Sequence, residues 1–197
     1  MGEVVSVMIA GVGGQGTVLA SKILSLVAMK AGLDVKQSEI HGMSQRGGSV
    51  VTHVRFGEKV YSPLVSAGCA DFAIAFEELE ALRCLPYLKK EGLFIVNTQQ
   101  MLPMPVITGA AVYPADPVGD MLGQGLRVAA VDASGIGQEK GDARAANLVL
   151  LGVLAESLDI PEETWHEAIK ECMRPNLLEM NMAAFRAGQE AGAEGKR

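Results

Sequence analysis

The chain has 197 residues, 17 Lys and Arg against 23 Asp and Glu, a net charge of −6 and 49% hydrophobic residues. That is the make-up of one compact globular domain, and it excludes collagen-like, disordered and mini-protein classes. With only 5% aromatics and no basic cluster beyond Lys89-Lys90 and Lys196-Arg197, the chain also lacks the electrostatic footprint and stacking platforms of a nucleic-acid binder.

The longest uncharged stretch, Gly92 to Ala115, is interrupted by Asn97, Gln99, Gln100, Pro103, Pro105 and Pro114, so it reads as a strand and irregular chain, not as a membrane helix. Met1 to Ser6 fits a myristoylation pattern, but Val4, Val5, Val7, Met8 and Ile9 fit a buried first strand better, and the pattern is read as chance. Cys69, Cys84 and Cys172 are too far apart for a CxxC or cluster-binding run. All three are expected to be small buried hydrophobes in a reducing, cytoplasmic protein, with no metal site.

In chain order, Val4 to Ala10 is an apolar strand that runs into Gly11-Val12-Gly13-Gly14-Gln15-Gly16. Thr17 to Ala31 follows as a helix with a broad apolar face, ended by Gly32. Asp34 to Ile40 is a second strand, and His41 to Ser49 a glycine-rich loop. Val50 to Phe56 alternates imperfectly as a third strand, and the Gly57-Glu58-Lys59 turn predicts that Val60-Tyr61 pairs back on it as a hairpin, which makes the sheet mixed. Asp71 to Phe76 is a strand, Glu77 to Leu88 a helix with a solvated acidic start, and Gly92 to Asn97 another strand. Arg127 to Val131 is a late strand and Arg144 to Leu158 a helix. Pro161 opens a helix that carries Trp165, Ile169 and Met173, and Leu177 to Phe185 is the last. Residues 1–186 thus read as a single α/β domain, and Ala187 to Arg197 as a small-residue, flexible tail.

Chemistry concentrates around two loops. Gly11, Gly13 and Gly16 form GxGxxG between a strand and a helix, where backbone amides and the helix N-terminus attract phosphate. Gly14 and Gln15 belong to the same candidate cofactor-binding loop. A Walker loop fits worse, because Thr17 stands where its Lys is needed. The three glycines equally permit a tight crossing without any ligand. Glu39, near the end of the second strand, keeps a nicotinamide dinucleotide reading open. In the second loop Arg46 is able to hold a carboxylate or phosphate bidentately and His41 stands nearby, which makes both candidate catalytic residues. His53 is expected to face solvent or a partner, and His166 to lie at the surface. Met173, Met180 and Met182 suit core packing, and Asn147 a buried backbone group.

Val4 to Gly16, Ser38-Glu39-Ile40-His41-Gly42-Met43-Ser44-Gln45-Arg46-Gly47-Gly48-Ser49-Val50, Ala75-Phe76-Glu77, Asn97-Thr98-Gln99 and Arg144-Ala145-Ala146-Asn147-Leu148 to Gly152 together resemble the beta subunits of indolepyruvate ferredoxin oxidoreductases. More broadly, the chain resembles the gamma domain of the 2-oxoacid:ferredoxin oxidoreductases, from Val4 to about Phe185. The resemblance implies a three-layer, Rossmann-like sandwich on a mostly parallel, mixed sheet. It also implies oxidative decarboxylation of an aryl 2-oxoacid with coenzyme A, giving an acyl-CoA and reduced ferredoxin. Thiamine diphosphate and iron-sulfur clusters, the family's cofactors, are expected on a large alpha subunit: this chain has too few cysteines, and Gly141-Asp142-Ala143 departs from the GDG of a thiamine diphosphate motif. The resemblance makes this chain one part of a cytoplasmic hetero-oligomer, inactive alone, that completes the active site and the assembly. An NAD(P)-binding enzyme and a non-catalytic assembly module are the competing readings.

Overall fold

The computed structural model describes residues 4–42 and 47–194. Its six strands form one sheet in the order β2-β3-β1-β4-β5-β6: β1 (Val5–Val12), β2 (Asp34–His41), β3 (Ser49–Gly57), β4 (Ala70–Ala75), β5 (Leu88–Asn97) and β6 (Arg127–Val131). β1, β4, β5 and β6 run parallel, while β3 lies antiparallel between β1 and β2. The mixed, mostly parallel sheet of the sequence reading is therefore present.

The hairpin is in a different place. β2 pairs with β3 along its whole length, from Asp34 opposite Gly57 to His41 opposite Val50, and Val60-Tyr61 forms no strand. The cause is local: the Val60 amide donates to Asp34 Oδ2 at 2.9 Å, and the Val60 side chain is buried. The residues after Gly57 are thereby fastened to the start of β2 instead of returning along β3. Eight cross-strand pairs with one face covered outweigh a two-residue ladder.

Alternate side chains of the strands serve two cores, which makes the three layers. On one face Val7, Ile9, Val54, Ile74 and Ile95 meet α1 (Thr17–Lys30), α5 (Ala133–Lys140), α6 (Ala146–Ala155), α7 (Glu162–Cys172) and α8 (Pro175–Glu194). On the other, Met8, Ala73, Ala75, Phe94 and Val96 meet α2 (Glu78–Cys84) and α4 (Pro117–Gly123). A single turn, α3 (Met104–Ile107), lies in the long connection after β5. α1 ends where Gly32 takes φ 81° and the Gly32 and Leu33 amides bond back to Met29 and Ala28, the left-handed cap that glycine permits. All ten residues of α6 are buried, so it is apolar all round and not merely on a stripe.

The last helix does not end at Phe185. α8 continues through residues 187–194, and the small residues that read as a tail are there because the two backbones touch. A Cβ on Gly188 would lie 2.0 Å from the Val149 carbonyl oxygen, and one on Gly152 2.1 Å from that of Phe185. Small size here serves close helix packing, not mobility.

Candidate functional site

β1 has β3 on one side and β4 on the other, and the chain leaves the C-terminal ends of β1 and β4 in opposite directions. This is the topological switch point at which open α/β sheets bind ligands. A cleft of about 370 Å³ opens there, walled by Gly13, Gly14, Gln15, Asn97, Gln99 and Arg144, with Ser134 at its rim. A second cavity, of about 630 Å³, lies at the opposite edge of the sheet, between Asp71, Lys89 and Arg127. It lies at the strand starts, where this architecture does no chemistry.

Two amide side chains build the cleft. Gln15 Oε1 accepts from the Val12 amide at 2.7 Å, while Nε2 donates to the Phe76 carbonyl at 3.1 Å and to Gln99 Oε1 at 3.2 Å. It thus ties the glycine loop to the ends of β4 and β5. Asn97, 1% exposed, donates through Nδ2 to the same Phe76 carbonyl and to Ser134 Oγ, and accepts from the Ala133 and Ser134 amides at the start of α5. Asn97, Gln99, Ser134 and Arg144 were not among the candidate site residues. The signal available was a buried amide directly after the apolar run of β5, a place where a polar group must have a partner.

The glycine loop divides its labour. Gly11 is structural: a Cβ there would meet Thr17, Gln15 and Phe76 at 2.8 to 3.0 Å. The Gly13 amide donates to the Gly48 carbonyl at 2.8 Å and its carbonyl accepts from Gly47 at 3.2 Å, so Gly13 joins the two loops together. Gly14 and Gly16, at φ 109° and 90°, keep amides without an acceptor among the described residues. They are the members of the loop left to meet a ligand.

His41 ends β2 as an exposed side chain, its Nδ1 2.9 Å from the Gly42 carbonyl oxygen. It lines a second hollow with Gly13, Gly16, Lys22 and Glu39. Arg46 lies outside the described residues. The far end of its loop is fastened by Ser49, whose hydroxyl donates to Glu80, and Glu80 in turn is paired with Arg83. Glu39 also lines that hollow, but β3 separates its strand from β1. The adjacency of β1 and β2 on which a dinucleotide ribose site depends is therefore missing.

Several other readings change. Glu77, Glu78 and Glu80 are not a solvated helix start; they are 1%, 8% and 2% exposed. Glu77 caps α2 by accepting from the Glu80 amide, and also accepts from the Met101 amide and the Tyr113 hydroxyl. Burial, reinforced by the Glu77 carboxylate, pushes the Tyr113 phenol well up. Together with the Gln100 to Glu78 bond, these contacts fasten the uncharged connection after β5 to the rim of the cleft. His53 is buried, its Nδ1 accepting from the Val65 amide at 3.1 Å, and burial lowers its pKa. His166 is half-buried against Phe185, 3.0 Å from Glu162. Of the cysteines, Cys84 is buried and its thiol is pushed up to about 12 by that burial and then by Glu80, but Cys69 is exposed because it sits in the turn before β4. Asn147 does satisfy a buried backbone group, the Leu148 amide.

Comparison with known proteins agrees with this architecture. Residues 6–191 match the family described as pyruvate ferredoxin/flavodoxin oxidoreductase. The chain is 40% identical over 194 residues to the indolepyruvate oxidoreductase subunit IorB of Thermococcus kodakarensis, with 96% of each covered. In fold it is similar to the gamma subunit of a keto/oxoacid ferredoxin oxidoreductase from Geobacter sulfurreducens, with a TM-score of 0.73 at 21% identity, covering 96% of this chain and 99% of that one. It is similar as well to the 2-oxoglutarate:ferredoxin oxidoreductase of Magnetococcus marinus, whose structure holds 2-oxoglutarate, coenzyme A and succinyl-CoA, with a TM-score of 0.75 at 20% identity, covering 98% of this chain and 31% of that one. With a match running from β1 into α8, the chain belongs to the pyruvate ferredoxin/flavodoxin oxidoreductase family.

Proposed function

We propose that this chain is the small subunit of a 2-oxoacid:ferredoxin oxidoreductase that acts on indolepyruvate and related aryl 2-oxoacids. In that reaction the 2-oxoacid loses carbon dioxide, its acyl group passes to coenzyme A, and the electrons released reduce ferredoxin. The observation that carries the reading is the 40% identity with the indolepyruvate oxidoreductase subunit along 96% of both chains. The donor set supports a division of labour: three separated cysteines, one of them buried with a raised pKa, do not make a cluster-binding set. The reading assigns the iron-sulfur clusters and thiamine diphosphate that the family resemblance implies to a large alpha subunit, where thiamine diphosphate would supply the decarboxylation chemistry.

This chain's own part is to complete the active site and the assembly. The switch-point cleft faces the partner, with the glycine loop on one wall and His41 in the hollow on the other side of that loop. Met101 belongs to the cleft and continues into an uncharged arm on which Met104, Ile107 and Val112 are exposed. A subunit that covers the cleft covers this arm too, so the reading assigns the arm to the subunit contact. No helix among the described residues is long and apolar enough to cross a membrane, in keeping with a cytoplasmic enzyme that meets ferredoxin through the complex.

The test is anaerobic, coenzyme A-dependent reduction of a viologen dye by the co-expressed large subunit, with and without this chain, on indolepyruvate, phenylpyruvate, pyruvate and 2-oxoglutarate. Turnover on the aryl substrates that requires this chain is the expected result. Equal turnover without it overturns the reading. In the active complex, Arg46→Ala and His41→Ala are expected to lower kcat/KM, with Arg46→Ala acting chiefly on KM for the anionic substrate.

A further inference from the structure

No residue from Thr98 to Asp116 is buried, and only Pro103, Val106, Tyr113 and Pro114 are half-buried. A connection of this length without a core of its own belongs to the class that serves as lids and binding loops. From Pro103 to Ala111 its backbone bonds are internal: the Val106 and Ile107 amides donate to the Pro103 carbonyl, Thr108 to Met104, Gly109 to Val106 and Ala111 to Pro105. Between Gln100 and Tyr113 the hydrogen bonds to the rest of the molecule, among the described residues, go only to Gln15 and to the start of α2 with its Glu77 cap.

The start of a helix is where amides lack intrahelical acceptors, and here the connection supplies them. The Glu78 amide donates to the Gln99 carbonyl at 3.1 Å and the Leu79 amide to the Tyr113 hydroxyl at 3.2 Å, while Glu77 Oε2 takes the Glu80 amide at 3.0 Å. The other oxygen of that carboxylate, Oε1, accepts both from the Met101 amide at 3.0 Å and from the Tyr113 hydroxyl. Met101 and Tyr113 thus meet on one buried atom, and the chain between them is a loop closed at a single neck. Its near end also builds the switch-point cleft: Gln99 and Met101 line it, and Gln15 Nε2 reaches Gln99 Oε1 at 3.2 Å and Met101 Sδ at 3.3 Å. Opening the neck therefore takes one wall away from the cleft.

We propose that residues 99–113 are a strap that opens as one unit at this neck, and that the large subunit, seated on the exposed Met104, Ile107 and Val112, holds it shut and so completes the cleft wall. The second half rests on the function proposed above; the first is a property of this chain alone. Tyr113 and Glu77 are then positioning residues, acting on the cleft through Gln99 and Met101.

The experiment is hydrogen exchange on the full chain, read by NMR at the Glu78, Leu79 and Met101 amides. One shared opening free energy for all three is expected, below that of the Ile95 amide in the middle of the sheet. Tyr113→Phe keeps the ring and removes both bonds of the hydroxyl. Leu79 loses its acceptor outright, so the diagnostic amides are Glu78 and Met101, whose own acceptors remain. Opening as a unit makes both exchange about three- to tenfold faster, with the Ile95 amide and the melting temperature nearly unchanged. A purely local effect predicts the opposite: the Glu78 amide is unmoved, and the Met101 amide, now alone on Oε1, exchanges more slowly. That result, or three unrelated opening free energies, would overturn the proposal. Adding the large subunit is expected to slow all three amides about tenfold or more. A complex whose dye reduction requires this chain, but in which the three amides exchange as fast as in the free chain, sinks the strap and leaves the functional reading standing. A shared opening that the large subunit slows, with dye reduction indifferent to this chain, does the reverse.

Discussion

Gln15 connects three strand ends through one side chain, and its Val12 partner is a backbone amide at the close of the buried first strand. Replacing it by Leu removes an acceptor from that amide and a donor from the Phe76 carbonyl, a loss of about 1–3 kcal/mol in urea-unfolding free energy. His53 makes a prediction about pH. Burial holds its folded pKa below the ordinary 6.5, so as pH falls the unfolded chain takes up the proton first. Its contribution is present above pH 6.5 and is lost as pH falls from there through the lower folded value. Unfolding curves from pH 8 to about 5 should show stability falling in the wild type, and the slope should flatten in His53→Gln, which keeps an acceptor for the Val65 amide. Residue type and spacing exposed the glycine loop and the His41 loop, but gave no warning that His53 is buried. A strand residue's face is set by which neighbours cover it, and the pattern Val50 to Phe56 alternates too weakly to choose.

Among the elements, strong periodicity was legible and short or glycine-bearing pieces were not. β1, α1, β4, β6 and α7 lie where apolar patterning placed them. α5, with Gly135 and Gly137 in eight residues, has poor intrinsic propensity; it forms because Asp132 caps it and Asn97 takes its first two amides. The β2–β3 hairpin was displaced by a turn signal whose following residues are claimed by Asp34. The α6–α8 contact yields the sharpest prediction at this scale. Gly188→Ala drives a methyl into the Val149 backbone, and because neither helix axis is free to yield, the expected cost is about 1–3 kcal/mol or more, read as a lower denaturation midpoint. A flexible tail would tolerate the same change without loss.

For the whole molecule the exposed arm after β5 is the clearest departure from a self-sufficient surface. It is uncharged from Thr98 to Ala115, carries Met104, Ile107 and Val112 at 62% exposure or more, and is fastened at both ends by the buried Glu77 and Glu78. Ile107→Glu with Met104→Glu should leave the melting temperature of the isolated chain nearly unchanged, since both side chains are already in water, and should abolish co-purification with the large subunit. Retention of the complex in that double variant would remove the arm from the interface.

By itself the sequence determined the alternation of strands and helices, the strand-to-helix turn at Gly11 to Gly16 and the kinship, because patterning and the unusual Glu39 to Ser49 run are local properties of the chain. Only the tertiary structure decided which of those residues remain available. Gly13 is spent on Gly48, Gln15 on Phe76, and Asp142 on Arg144, while the Gly14 and Gly16 amides have no acceptor among the described residues. Whether a polar group is satisfied depends on partners far away in the chain, as Gln15 and Gln99 are at 84 residues apart, and no local pattern encodes that meeting.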